Sequence, residues 1–123
     1  EALAQESMQL TKSGVAWILI TKESKEKYNI SYEQISEMVD LMNRIKGSLI
    51  WLLFVEREDS IIRVNMRSRH VKINNLAEKY HGGGHENACG ATVNDRDEMD
   101  RLIADADTLL AQFKEEHRDL ARL

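Results

Sequence analysis

The segment His81-Gly82-Gly83-Gly84-His85-Glu86-Asn87-Ala88-Cys89-Gly90 holds the residues of this chain best suited to chemistry. Three consecutive glycines are costly to order, because glycine loses more backbone freedom on folding than any other residue. They also leave backbone N–H groups with no Cβ in front of them, so an anion can approach closely. Successive N–H groups in such a turn form an anion-binding nest. A short helix beginning after Gly84 would add the partial positive charge of its N-terminus. His85 then stands at the rim, able to donate to a phosphate oxygen, with His81 on the other side. The plain alternative is a tight turn, for which two glycines usually suffice. A rival reading makes His81, His85 and Cys89 metal ligands at i, i+4, i+8 spacing, using ligand types common in zinc sites. The three glycines oppose the continuous helix that spacing needs, and no fourth ligand is evident, so no metal is expected in this chain.

A second cluster, Arg67-Ser68-Arg69, closes a stretch from Ser60 to Ala77 that carries Arg63, Arg67, Arg69, Lys72 and His70 and no acid. A guanidinium offers a planar fork that matches phosphate oxygens two at a time. A serine hydroxyl beside it can donate or accept. Alone, arginines at a strand end are weak support, since charges also protect sheet edges from aggregation. Joined to a glycine-rich anion nest downstream, they become a second wall of one pocket. The expected substrate-binding residues are therefore Arg67, Ser68, Gly82, Gly83, Gly84 and His85, with Arg69, Asn65 and His81 as further candidates.

Groups that could hydrolyse a phosphoester are missing. Metal-assisted hydrolysis needs clustered carboxylates and histidines to hold its ions. The close pair Asp105 and Asp107 stands two residues apart on a helical stretch, points to different sides and reads as solvated surface. Ser68 has no identifiable base, and nothing in the sequence activates Cys89. The expectation is a chain with no catalytic residue of its own.

Periodicity gives the elements that must position these groups. Val15–Ile20 and Leu49–Val55 are apolar throughout and strand-sized, as in strands buried on both faces. Ile61–Arg69 alternates, with Ile62, Val64 and Met66 on one side and Arg63, Asn65, Arg67 and Arg69 on the other. Ser31 and Gln34 form a capping box before a stripe of Ile35, Met38, Val39, Met42 and Ile45, and Gly47 ends that helix. Lys22–Ile30 reads as a polar loop. A short helix runs from Asn74 or Asn75 to Tyr80, Ala88–Val93 is a last strand, and Asp95 with Glu98 opens a final helix whose stripe ends near Phe113. Strands apolar on both faces need cover on both faces. The expected fold is α/β, one small domain with a mixed sheet and helices on each side.

The 123 residues fit that single domain, with residues 1–13 as a linker or helix tail and 14–123 as the folded unit. A net charge of -4 does not advertise a general nucleic-acid binder, so any anion site must be local. No apolar run reaches membrane-spanning length, no signal peptide is visible, and the single cysteine fits a reducing, cytoplasmic setting.

The order Arg67-Ser68-Arg69, a short helix with Ala77, then Gly82-Gly83-Gly84-His85, Ala88 and Gly90-Ala91 resembles the C-terminal domain associated with DHH phosphoesterases. It is most similar to that of the bacterial nano-RNA oligoribonucleases, which also dephosphorylate 3′-phosphoadenosine 5′-phosphate. The resemblance implies that an upstream DHH domain carries manganese and the chemistry, while this domain closes over a short RNA or nucleotide. It implies further that Arg67, Ser68, Gly83, Gly84 and His85 contact the phosphate and sugar. Family members often have glycine where His81 stands and serine where Asn65 stands. The alternatives are a cyclic-dinucleotide phosphodiesterase domain, a tRNA-binding or oligomerisation module as in alanyl-tRNA synthetases, and a plain homodimerisation domain, for which apolar residues rather than arginines would be expected on the Arg67 face.

Overall fold

The computed structural model describes residues 8–44 and 47–118. In chain order its elements are β1 (Gln9–Leu10), β2 (Ala16–Ile20), α1 (Lys22–Tyr28), α2 (Tyr32–Met42), β3 (Ile50–Glu56), β4 (Ile62–Ser68), α3 (Asn74–Lys79), β5 (Gly83–His85), β6 (Ala88–Val93) and α4 (Arg96–Glu116). The strands form one sheet in the order β1-β2-β3-β4-β6-β5. Only β2 and β3 run parallel; the other neighbours are antiparallel. The fold is a small α/β domain with a mixed sheet. No described helix is long and apolar enough to cross a membrane.

The continuous apolar runs take the middle of the sheet because both their faces must be dry. Every residue of β3 is buried. Residues directly opposite one another across strands share a face, so the registers sort the side chains. One face carries Ile50, Leu52, Phe54, Ile62, Val64, Met66, Cys89, Ala91 and Val93. These form the larger core, closed by Leu76 and Ala77 of α3 and by Met99, Leu102, Ala106 and Leu110 of α4. The opposite face carries Ala16, Ile18, Ile20, Trp51, Leu53 and Val55, covered by Met38, Val39 and Met42 of α2. That second cover stops at β3. Beyond it, β4, β6 and β5 contribute no residue to the apolar cluster under α2, whose edge reaches only the Arg67 end of β4.

Four expectations meet a different outcome. Lys22–Ile30 is not a loop: Thr21 caps α1 through its side chain, and Asn29 ends it in the left-handed conformation. No residue of α1 is buried, so it has no apolar stripe for periodicity to register. The Gly82–Gly84 stretch is not a turn either. Gly83–His85 is an edge strand, and the turn is Glu86-Asn87. Within the 1–13 segment, Gln9–Leu10 pairs with β2, and residues 1–7 lie outside the described residues, as does Ile45 of the expected stripe. Finally, Asp105 and Asp107 are anchors rather than bare surface. Asp105 accepts from the Tyr80 hydroxyl and Lys79, and Asp107 accepts from the Ser13 backbone N–H and hydroxyl. Burial raises both pKa values, but these hydrogen bonds, together with one from the Thr11 side chain to Asp107, outweigh it and hold them below the usual range.

Candidate functional site

Alternation along β4 sends Arg63, Asn65 and Arg67 to the uncovered half of the sheet. Their register partners on β6 are Thr92, Gly90 and Ala88, and the next partners on β5 are Gly83, facing Gly90, and His85, facing Ala88. The structure therefore brings Arg67 and His85 onto one face in one row, with Ala88 between them. Asn65, Gly90 and Gly83 form the next row. Small residues in the middle keep the floor low, so a ligand can reach the backbone there.

Arg67 is held rather than loose. Its Nη1 donates to the carbonyls of Met66 (2.9 Å) and Cys89 (3.2 Å), which leaves its remaining N–H groups for a ligand. Beside it opens a cleft of about 190 Å3, lined by Val39 and Asp40 of α2 and by Asn43 just after it, together with Trp51, Arg67, Ser68 and Asn87. The indole N–H of Trp51, buried at the cleft wall, has no protein acceptor. The Arg69 guanidinium sits over the Trp51 ring at 5.7 Å and donates to the Ser48 carbonyl. Arg69 thus braces the wall next to Arg67. A groove of about 300 Å3 between the His70–Lys72 loop and the end of α4 is larger, but it holds none of the expected binding residues.

Ser68 lines the same cleft as Arg67, but its hydroxyl is engaged within the protein. One residue on from Arg67, it points to the opposite, buried face. Its hydroxyl donates to the Val71 carbonyl and accepts from the Asn87 side chain. Its backbone N–H donates to the Asn87 carbonyl. Ser68 thereby pins the Glu86-Asn87 turn to the end of β4, which fixes His85 relative to Arg67.

The three glycines have three separate reasons. A Cβ on Gly82 would lie 2.0 Å from the Gly90 carbonyl oxygen, so Gly82 permits backbone contact between the two strands. Gly84 has φ +143, and a Cβ there would lie 2.7 Å from the Ala88 carbonyl oxygen. Gly83 has neither constraint: nothing lies within 4 Å of its would-be Cβ, and its φ is ordinary. An edge strand replaces the expected nest, and an edge strand leaves part of its backbone N–H groups unpaired by the sheet. His81 is exposed in the turn before β5 at φ +60. Few non-glycine residues adopt that conformation.

The metal reading of His81, His85 and Cys89 finds no support in the arrangement. Cys89 faces the core, its thiol donates to the His85 carbonyl, and burial pushes its pKa up. No cluster of three potential metal ligands occurs among the described residues.

Arg63 was passed over in the sequence reading, although the i, i+4 relation to Arg67 along an alternating strand places it on the same face. Its Nη1 donates to the Thr92 hydroxyl at 2.7 Å. Arg57, Arg96 and Arg118 each face a carboxylate; Arg63 and Arg67 have none among the described residues.

With this geometry in place, the comparisons with known proteins decide the family. The DHHA1 domain profile matches residues 16–112, which contain the whole of the open half-face. The chain belongs to the DHHA1 domain family. This DHHA1 domain is 40% identical over 109 residues to the bifunctional oligoribonuclease and PAP phosphatase NrnA of Bacillus subtilis, covering 89% of this chain and 34% of that protein. The chain thus spans about a third of the length of that relative. Among solved structures, it is similar to an exopolyphosphatase-related protein from Bacteroides fragilis, with a TM-score of 0.76 at 23% identity, covering 99% of this chain and 35% of that one. It is also similar to a pGpG-specific phosphodiesterase from Vibrio cholerae, with a TM-score of 0.63 at 16% identity, covering 90% of this chain and 37% of that one. These two likenesses establish the fold of the DHHA1 domain.

Proposed function

We propose that this DHHA1 domain binds the terminal phosphate of a short RNA or nucleotide on its open half-face. It presents that end to a metal-bearing DHH domain of the same polypeptide, in a cytoplasmic hydrolase acting as oligoribonuclease and nucleotide phosphatase. Manganese belongs to that other domain. The observation that carries the reading is the pair of arginines without carboxylate partners among the described residues, over a floor of glycine and alanine, on the part of the sheet outside the apolar cluster under α2. An open polar half-face of this composition has no packing purpose, and a guanidinium fork with free donors is suited to phosphate. The adjoining cleft is smaller than the ~300–1,000 Å3 of a whole-ligand pocket, so it takes part of a nucleotide, with Asp40 and Asn43 offering partners for a sugar or base. The relative from Bacillus subtilis, named for both activities, supports the choice of substrate class.

The test uses the longer protein that carries this domain. Arg67→Ala should cost roughly 1.5–3 kcal/mol of binding to a 5′-phosphorylated dinucleotide and to 3′-phosphoadenosine 5′-phosphate, the range for a hydrogen bond to a charged group. Arg101→Ala, which removes an exposed cation from α4, serves as the charge-matched control. Unchanged KM and kcat for Arg67→Ala on both substrates would remove the site. Including a cyclic dinucleotide, which has no terminal phosphate, as a third substrate separates the oligoribonuclease reading from the cyclic-dinucleotide one.

A further inference from the structure

We infer that Arg63 holds a second phosphate, so that the open half-face distinguishes an oligonucleotide from a mononucleotide. The inference rests on the reading of Arg67 as the terminal-phosphate residue and extends it along the strand. Arg63 and Arg67 stand on one face of β4 with Asn65 between them. Four residues at ~3.3 Å each put their Cα atoms roughly 13 Å apart.

Both guanidinium groups lean over the neighbouring strand. Arg63 reaches across to Thr92, and its Nη2 lies 3.1 Å from where a Gly90 Cβ would be. A Cβ at position 90 would press on that guanidinium, which would have to shift slightly. Arg67 leans the same way, onto the Cys89 carbonyl. The two anchoring atoms on β6 belong to residues three apart, roughly 10 Å along the strand. A phosphate gripped by a guanidinium sits within about 2.9 Å of it, so one phosphate cannot satisfy both anchored forks. Two phosphates of one chain can. The ground between the forks is floored by Gly90 and Gly83, and Asn65 stands within it. An asparagine amide both donates and accepts, which suits a ribose hydroxyl lying between two phosphates. A nucleoside 5′-monophosphate fills only the Arg67 position and gains nothing from Arg63. A phosphorylated dinucleotide supplies the second phosphate as well.

The experiment is equilibrium binding of 5′-phosphorylated diadenylate and of 5′-AMP to the longer protein carrying this domain, in a chelator so that nothing turns over. Arg63→Gln should raise the Kd for the dinucleotide roughly three- to tenfold, between the effect of an exposed ion pair and that of a charged hydrogen bond. The Kd for 5′-AMP should stay within about twofold of the parent, the scatter of an exposed substitution. The slope of log Kd against log salt for the dinucleotide should fall by about 0.7, the contribution of one phosphate contact on a single strand. Arg63→Lys, which keeps the charge, should recover part of the loss. An unchanged dinucleotide Kd and slope would overturn the inference. So would an equal loss for both ligands, since that would make Arg63 part of the terminal-phosphate site. Arg67→Ala is run in parallel and should weaken both ligands. If it leaves 5′-AMP binding untouched, the terminal-phosphate reading itself fails, a result separate from the selectivity that Arg63 is asked to show.

Discussion

Gly82, Gly83 and Gly84 look alike in the sequence, yet the structure asks different things of them. A methyl group on Gly82 has no space, because the Gly90 carbonyl oxygen already stands there. Gly84→Ala would be strained by its φ of +143 and by the Ala88 carbonyl. Gly83→Ala meets open space at an ordinary φ and projects toward the floor between Arg67 and Arg63. Gly82→Ala and Gly84→Ala should therefore each lower the melting temperature, by an amount corresponding to about 1–3 kcal/mol. Gly83→Ala should leave it within about 0.5 kcal/mol while weakening nucleotide binding. Thermal melts and ligand titrations of the three variants check this; equal destabilisation by all three would mean that the stretch serves the fold and nothing more. The face of Arg67 was legible in the alternation of Ile62, Val64 and Met66 against Arg63, Asn65 and Arg67. The role of Ser68 was hidden by adjacency. Its neighbour in the motif is Arg67, but a strand sends consecutive residues to opposite faces, and its partners Val71 and Asn87 come from loops that no local pattern locates.

Among the elements, the strands and the long helix were readable because hydrophobic period decides them. β6 begins and ends where the sequence implied, and α2 starts at the expected capping box of Ser31 and Gln34. α1 was not readable: it buries nothing and is fixed by its caps. β5 was not readable either, because three glycines carry no pattern and the strand exists only through its pairing with β6. The start of α1 is further tied down by Glu56 at the end of β3. Its Oε1 accepts from the Lys22 backbone N–H (3.0 Å), and its Oε2 accepts from Arg96 at the start of α4 (3.3 Å). The Lys22 hydrogen bond is the main reason the Glu56 pKa is lowered; burial opposes it, and Arg96 adds to it. A carboxylate with a depressed folded-state pKa contributes stability that is full above its unfolded value and lost as pH falls through the folded one. Asp105 and Asp107 shift in the same direction. The domain should therefore lose stability as pH falls from about 5 toward 3, around and below ordinary carboxylate pKa values. Glu56→Gln keeps an acceptor for Lys22 but loses the charge. It should be about 1 kcal/mol less stable at pH 7 and show a shallower decline on acidification. Chemical denaturation at pH 7, 5, 4 and 3 measures both slopes; parallel curves for parent and variant would show that Glu56 carries no part of the pH dependence.

For the molecule as a whole, the asymmetry of cover is the informative feature. One face of the sheet is closed along its length by α3 and α4, whereas α2 closes only the β2 and β3 part of the other. The sequence implied helices on both faces. It could not reveal the gap, because which strands α2 overlies depends on strand order, and the insertion of β6 between β4 and β5 is a long-range pairing. In the proposed function the gap is where a partner domain and a substrate meet, and the chain spans about a third of the relative it matches from Bacillus subtilis. Binding and hydrolysis should therefore separate. The groups proposed to hold phosphate are on this face, while no cluster of potential metal ligands occurs among the described residues and the one thiol is buried against a carbonyl. Metal-assisted hydrolysis requires ions held in place to generate the attacking hydroxide. The isolated 123-residue chain, given manganese and 5′-phosphorylated diadenylate or 3′-phosphoadenosine 5′-phosphate, should release no product above a protein-free control. The longer protein should turn both over under the same conditions. Product formation that scales with the purified chain, and that Arg67→Ala abolishes, would place the chemistry on this half-face itself. Activity that Arg67→Ala leaves unchanged would point to a contaminant.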